Sequence, residues 1–160
     1  MTQNNFAFID SQNLYCAMRD IWRNLDYKKF RIYLRDKFQV SKAFFFIWYM
    51  PGNEALYTEF QQAGYILIFK PTLKTKDWIV KGNCDAELVL HTMLEYNSFD
   101  KAIIVSGDWD FHCLIEHLHK HWKLEKVIIP RSDKYSALLR KFSWKLFYLS
   151  QVWIQSKICK

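Results

Sequence analysis

Chemistry in this chain starts at Asp108 and Asp110, two carboxylates separated by one residue in the stretch KAIIVSGDWDF, Lys101 to Phe111. Acids this close repel, which raises the pKa of one of them unless a cation or a donor offsets the charge. A hard divalent cation is one natural offset, because Mg²⁺ prefers carboxylate and water oxygens. Helix capping is the other, since Asp favours helix starts, where the backbone dipole is positive. Two further acids stand at comparable places: Asp10 closes the run FAFID, and Asp85 follows KGNC. Any one of them is more simply a cap than a ligand. Four at element boundaries, in a protein with a formal net charge of +7, are harder to explain that way.

The elements that must position these acids follow from hydrophobic spacing. Phe6 to Asp10, Ala43 to Met50, Tyr65 to Phe69, Ile103 to Val105 and Lys126 to Ile129 read as buried strands. Stripes of helical period lie between them, over Leu14 to Leu25, Tyr27 to Phe38, Glu54 to Ala63, about Asp85 to Tyr96, and Phe111 to His121. Ser11, Gln12 and Asn13 read as a polar turn, and Gly64 as a helix stop. Pro71 to Val80 reads as a loop or hairpin, Ser136 to Phe142 as a short basic helix, and Lys145 to Leu149 as a last extended segment.

Strands alternating with helix-length segments predict an α/β fold, a single-domain α/β/α sandwich on a parallel sheet, Rossmann-like in arrangement. The domain is expected over residues 1–150, with 151–160 a C-terminal tail open to helix formation. Such sheets bind ligands at the carboxyl ends of their strands, where Asp10, Asp108 and Asp110 would gather.

Composition narrows the class. With 160 residues and 51% apolar content the chain is expected to bury one core. No apolar run approaches the ~18 residues of a membrane helix, and MTQNNFAFID has no secretory pattern, so the expectation is a cytoplasmic protein without a membrane partner. Four scattered cysteines with no C-x-x-C pair point to free thiols, not a disulfide frame or zinc site. The histidines of HCLIEHLHKH read as a solvated face. The basic balance favours a polyanionic partner.

FIDSQNLY, KGNCDAELVLHTM and IIVSGDWDF, in that order, resemble the three motif regions of NYN domains, members of the PIN-like nuclease group. PRSDKYSALLRKF resembles the segment that follows the fifth strand in bacterial members. The resemblance implies a PIN-like sandwich with a Mg²⁺- or Mn²⁺-dependent ribonuclease site. Residue by residue, it makes Asp10, Asp85, Asp108 and Asp110 the catalytic and metal-binding acids and Asn13 the amide that follows the first. His91 stands where many relatives carry another acid, and Trp109 where the pattern has a small residue. Glu87 is offset from the motif.

The expected partner is RNA, single-stranded, contacted by Asn13, Ser106 and Trp109 at the site and by Lys74, Lys76, Lys81 and Arg140 along the backbone. Trp109 is expected to face outward and stack on a base. The alternatives are an RNA-binding module whose metal site is weak or inactive, and a Mg²⁺-dependent phosphohydrolase, which the missing glycine-rich loop disfavours. A homo-oligomer remains compatible with the sequence.

Overall fold

In chain order the strands are β1 (Asn5–Asp10), β2 (Val40–Trp48), β3 (Tyr65–Lys70), β4 (Leu73–Lys74), β5 (Val80–Lys81), β6 (Ala102–Val105), β7 (Leu124–Ile129) and β8 (Leu146–Tyr148). The helices are α1 (Ser11–Asp20), α2 (Tyr27–Phe38), α3 (Glu54–Gln62), α4 (Asp85–Leu94), α5 (His112–Lys120) and α6 (Val152–Ile158). This computed structural model describes residues 3–21, 24–70, 73–74, 80–81 and 84–160.

Six strands form one parallel sheet in the order β3-β2-β1-β6-β7-β8. All six residues of β1 are buried, because helices cover both faces. Alternation along the strands divides the core in two. Ala7, Ile9, Phe45, Ile103 and Val105 meet α1, α2, α3 and α6 on one face, while Phe6, Phe8, Phe46, Ile104 and Val127 meet α4 and α5 on the other. Phe8 and Phe44 stack at 5.3 Å, 4° from parallel, which fills the second face with flat rings.

The chain runs from β1 outward through β2 and β3, then returns to the other side of β1 as β6. That reversal opens a crevice between the carboxyl ends of β1 and β6, the place where parallel sheets of this kind take ligands. The sandwich and its strands are those the sequence predicts, with β2 starting three residues before Ala43 and ending two before Met50.

Boundaries differ where capping decides them. The expected polar turn at Ser11 to Asn13 is the first turn of α1, because the Asp10 carboxylate accepts the Asn13 N–H at 3.1 Å and starts the helix there. The helix also ends earlier than its stripe, since Leu25 leaves it to bridge Cys159. The basic segment is a 3₁₀ helix over Ala137–Lys145, capped by the Ser136 hydroxyl. Residues after 150 form α6, which buries Ile154 and Ile158 against the α2 face. Gly64 adopts φ 93° after α3, a left-handed position where a side chain would be strained.

Candidate active site

The crevice is built by hydrogen bonds across the β1–β6 pair. Asp10, 8% exposed, ends β1 and uses both carboxylate oxygens. One accepts the Asn13 N–H, and the other accepts the Ser106 hydroxyl at 3.1 Å. Ser106 Oγ in turn accepts the Asp108 N–H at 3.1 Å, and Asn13 Oδ1 accepts the Gly107 N–H at 3.0 Å. The loop from β6 is thus pinned to α1 at successive residues. A Cβ on Gly107 would approach Tyr135 Cβ to 3.2 Å, so the close passage of these two chains favours glycine. Asp108 then caps the 3₁₀ turn Trp109–Phe111 by accepting the Asp110 N–H at 3.2 Å.

Asp85 is the first residue of α4, where the helix dipole is positive. Its carboxylate meets those of Asp108 and Asp110, and one oxygen from each of the three lies within 4.8 Å of the others. Among the described residues this is the one group of acids, histidines or cysteines close enough to share an ion. The donors are all hard oxygens, the set Mg²⁺ and Mn²⁺ prefer, and Asp85 and Asp108 are half-buried while Asp110 stands open to solvent. The residues therefore fit a divalent cation of that kind.

Asp10, Asp85 and Asp108 line one cleft of about 380 Å³, with Gln12, Asn13, Cys16, Trp48 and Cys84. Asp10 lies outside the group of three, held behind Asp108 through Ser106. Its carboxyl is pushed above the usual carboxylate range, mostly by burial and further by the nearby Asp108 charge, against the lowering by its hydrogen bonds. Burial also pushes the Cys84 thiol up to about 11, so it is a neutral thiol at pH 7 and not a thiolate nucleophile.

Other expected residues sort by position. Trp109 is 62% exposed and is no part of the core. Ser106 is fully buried and bonded inside the network. His91 packs its ring on Phe46 with centroids 5.7 Å apart. Glu87 pairs with Lys70 at 3.2 Å. Arg140 is exposed on the 3₁₀ segment that packs against the Trp109–Phe111 turn. Lys74 and Lys81 fall on the antiparallel pair β4–β5, and Lys76 lies outside the described residues. Sequence reading missed Trp48 as a lining residue. Its signal was available: it ends the strand beside β1, two residues beyond the Asp10↔Phe46 pairing.

A parallel sandwich with carboxylates at its switch crevice defines a domain of the PIN-like nuclease type. The chain belongs to the NYN domain family, whose profile matches residues 6–147. Its fold is similar to that in a crystal structure of a protein of unknown function from Vibrio parahaemolyticus RIMD 2210633, with a TM-score of 0.76 at 21% identity over 99% of this chain and 98% of that one. A search of curated proteins finds no match. Among the described residues no helix is long and apolar enough to cross a membrane.

Proposed function

We propose that this protein is a metal-dependent endoribonuclease that hydrolyses phosphodiester bonds of single-stranded RNA in the cytoplasm. The observation that carries the reading is the approach of Asp85, Asp108 and Asp110 to within 4.8 Å at the crevice between β1 and β6. These three would hold a Mg²⁺ or Mn²⁺ ion, which would supply a polarised water and offset charge on the scissile phosphate. Asp10 completes the acidic wall and fixes Asp108 through Ser106. Asn13 clamps the Gly107 N–H with its carbonyl oxygen, leaving its amide N–H₂ to meet a phosphate oxygen. The positive end of α4 adds to the attraction of the phosphate.

Trp109 offers an exposed ring for a base to stack on. Lys74, Lys76, Lys81 and Arg140 guide the backbone through their charge. The family supports a nucleic-acid substrate, and the net charge of +7 supports a polyanion over a small metabolite.

The test is incubation of the purified protein with end-labelled single-stranded RNA in Mn²⁺ or in chelator. Internal cuts that chelator stops are expected. Binding without cutting in either condition would replace the enzyme with an RNA-binding module.

A further inference from the structure

Beside the acidic cleft lies a second cavity of about 370 Å³, walled by aromatic rings from four elements. Tyr15 comes from α1, Tyr27 from α2, Trp48 from the end of β2 and Tyr57 from α3. Gln12 and Trp48 line both cavities, so one helical turn and one strand end are the partition between them. The cavity is not purely apolar. Asn53 lines it and sits at the N-cap of α3, yet its side chain makes no capping hydrogen bond. An N-cap asparagine ordinarily spends its amide on the helix; here the half-exposed side chain makes no such bond and offers a donor and an acceptor beside the cavity. Gln12 donates to Cys16 Sγ at 3.3 Å, which leaves its carbonyl oxygen as an acceptor on the shared wall. Tyr27, half-buried, adds its ring to the lining.

We propose that this cavity is a base subsite: it takes an unstacked nucleobase of the strand whose phosphate lies in the acidic cleft. The inference rests on the nuclease reading and adds to it a pocket that reads sequence next to the cut. Flat rings stack on a base face whichever base it is, whereas amides that offer a donor and an acceptor discriminate between base edges. A lipid chain would make no use of the Asn53 and Gln12 amides. The wall shared with the carboxylates places the occupant on the same molecule as the phosphate.

The test titrates the intact, metal-free protein with AMP, GMP, CMP and UMP, following the Trp48 indole and Asn53 amide resonances by NMR, with Trp48→Phe to assign the first. At least one nucleotide should shift both resonances at millimolar concentration. Tyr15 is 55% exposed, so Tyr15→Ala leaves the core intact and should weaken that binding about fivefold or more, the loss of one stacked ring. Asn53→Ala should change the preference among the four nucleotides. No shift at either resonance with any nucleotide overturns the subsite. Shifts produced by a phenylalanine-containing peptide and by no nucleotide overturn it too, and make the cavity a protein-docking pocket. Cutting of RNA is scored separately: nucleotide shifts without cutting remove the nuclease and keep the base pocket, and cutting without shifts does the reverse.

Discussion

The two ends of β1 carry buried polar residues of different meaning. At the amino end Asn5, 1% exposed, donates to the Phe38 carbonyl at 2.8 Å and accepts the Lys101 N–H at 3.2 Å. Its partners are all neutral: the two backbone groups tie α2 and the start of β6 to the strand, and the Gln3 side-chain oxygen accepts a further N–H at 3.2 Å. At the carboxyl end Asp10 is just as well hydrogen-bonded, but it carries charge and faces the field of Asp108. Burial and a full set of hydrogen bonds are therefore no mark of a site. What distinguishes the carboxyl end is negative charge gathered beyond what its donors neutralise, a debt that Asn5 never incurs. The first end holds the fold, and the second is available for chemistry.

That contrast breaks most sharply at Asp108. Asp108→Asn and Asp10→Asn should each lower chelator-sensitive RNA cutting at least about 100-fold, since each removes charge from a constellation that acts as a unit. Thermal unfolding in Mn²⁺ separates this from damage to the fold. The wild type should be stabilised by the ion and Asp108→Asn should not, because binding to the native state alone raises stability. An Asp108→Asn protein that still cuts would remove the cluster from the reaction.

The opposite end should give the opposite result. Asn5→Ala leaves the Phe38 carbonyl and the Lys101 N–H without their partner in a buried place. A loss of about 1–3 kcal/mol in unfolding free energy is expected. Cutting per folded molecule should be unchanged in Mn²⁺. If Asn5→Ala lowered activity as Asp108→Asn does while staying folded, the two ends of the strand would not be independent.

Much of this arrangement is legible in the chain because parallel strands covered on both faces read as unbroken apolar runs, as AIIV and the core of FAFID do. The acids are legible for a related reason: a carboxylate directly after such a run has to sit at a strand end. The family motifs join those ends into one site. The partners of each acid are not legible. Ser106 stands 96 residues from Asp10, and only the pairing of β6 beside β1 brings them to 3.1 Å. The same pairing draws Asp10 behind Asp108 and out of the group of three, which no spacing indicates. The aromatic cavity is hidden similarly, since Tyr15, Tyr27, Trp48 and Tyr57 stand on four separate elements that only the fold brings together.

Trp109 sharpens the comparison from the solvent side. With 62% of the residue exposed, little burial is lost when the ring is removed. Trp109→Gly should leave the melting temperature nearly unchanged and weaken single-stranded RNA binding by about 1–3 kcal/mol, the stacking of one base. A filter-binding titration in chelator measures this without cutting. Unchanged affinity would leave the base cavity and the cationic residues as the binding surface.

The smallest effect concerns Asp10 and the pH dependence of stability. Its folded carboxyl holds its proton more tightly than the unfolded chain does, because burial and Asp108 both disfavour the charge. Below the unfolded value of about 4 the group is protonated in both states, and it adds nothing to the balance between them. As pH rises from there through the raised folded value, the unfolded chain ionises first, and the native state loses ground until both are charged. Asp10→Asn cannot ionise, so it escapes that loss. Its amide oxygen can still accept from Asn13, and Ser106 can accept from its N–H₂. In metal-free buffer at pH 7 the variant should melt at or slightly above the wild-type temperature, and the difference should shrink as the pH falls below about 4. A variant that melts well below the wild type at pH 7, by the same margin in acid, would show the Asp10 hydrogen bonds outweighing its charge, and would make it a structural counterpart of Asn5.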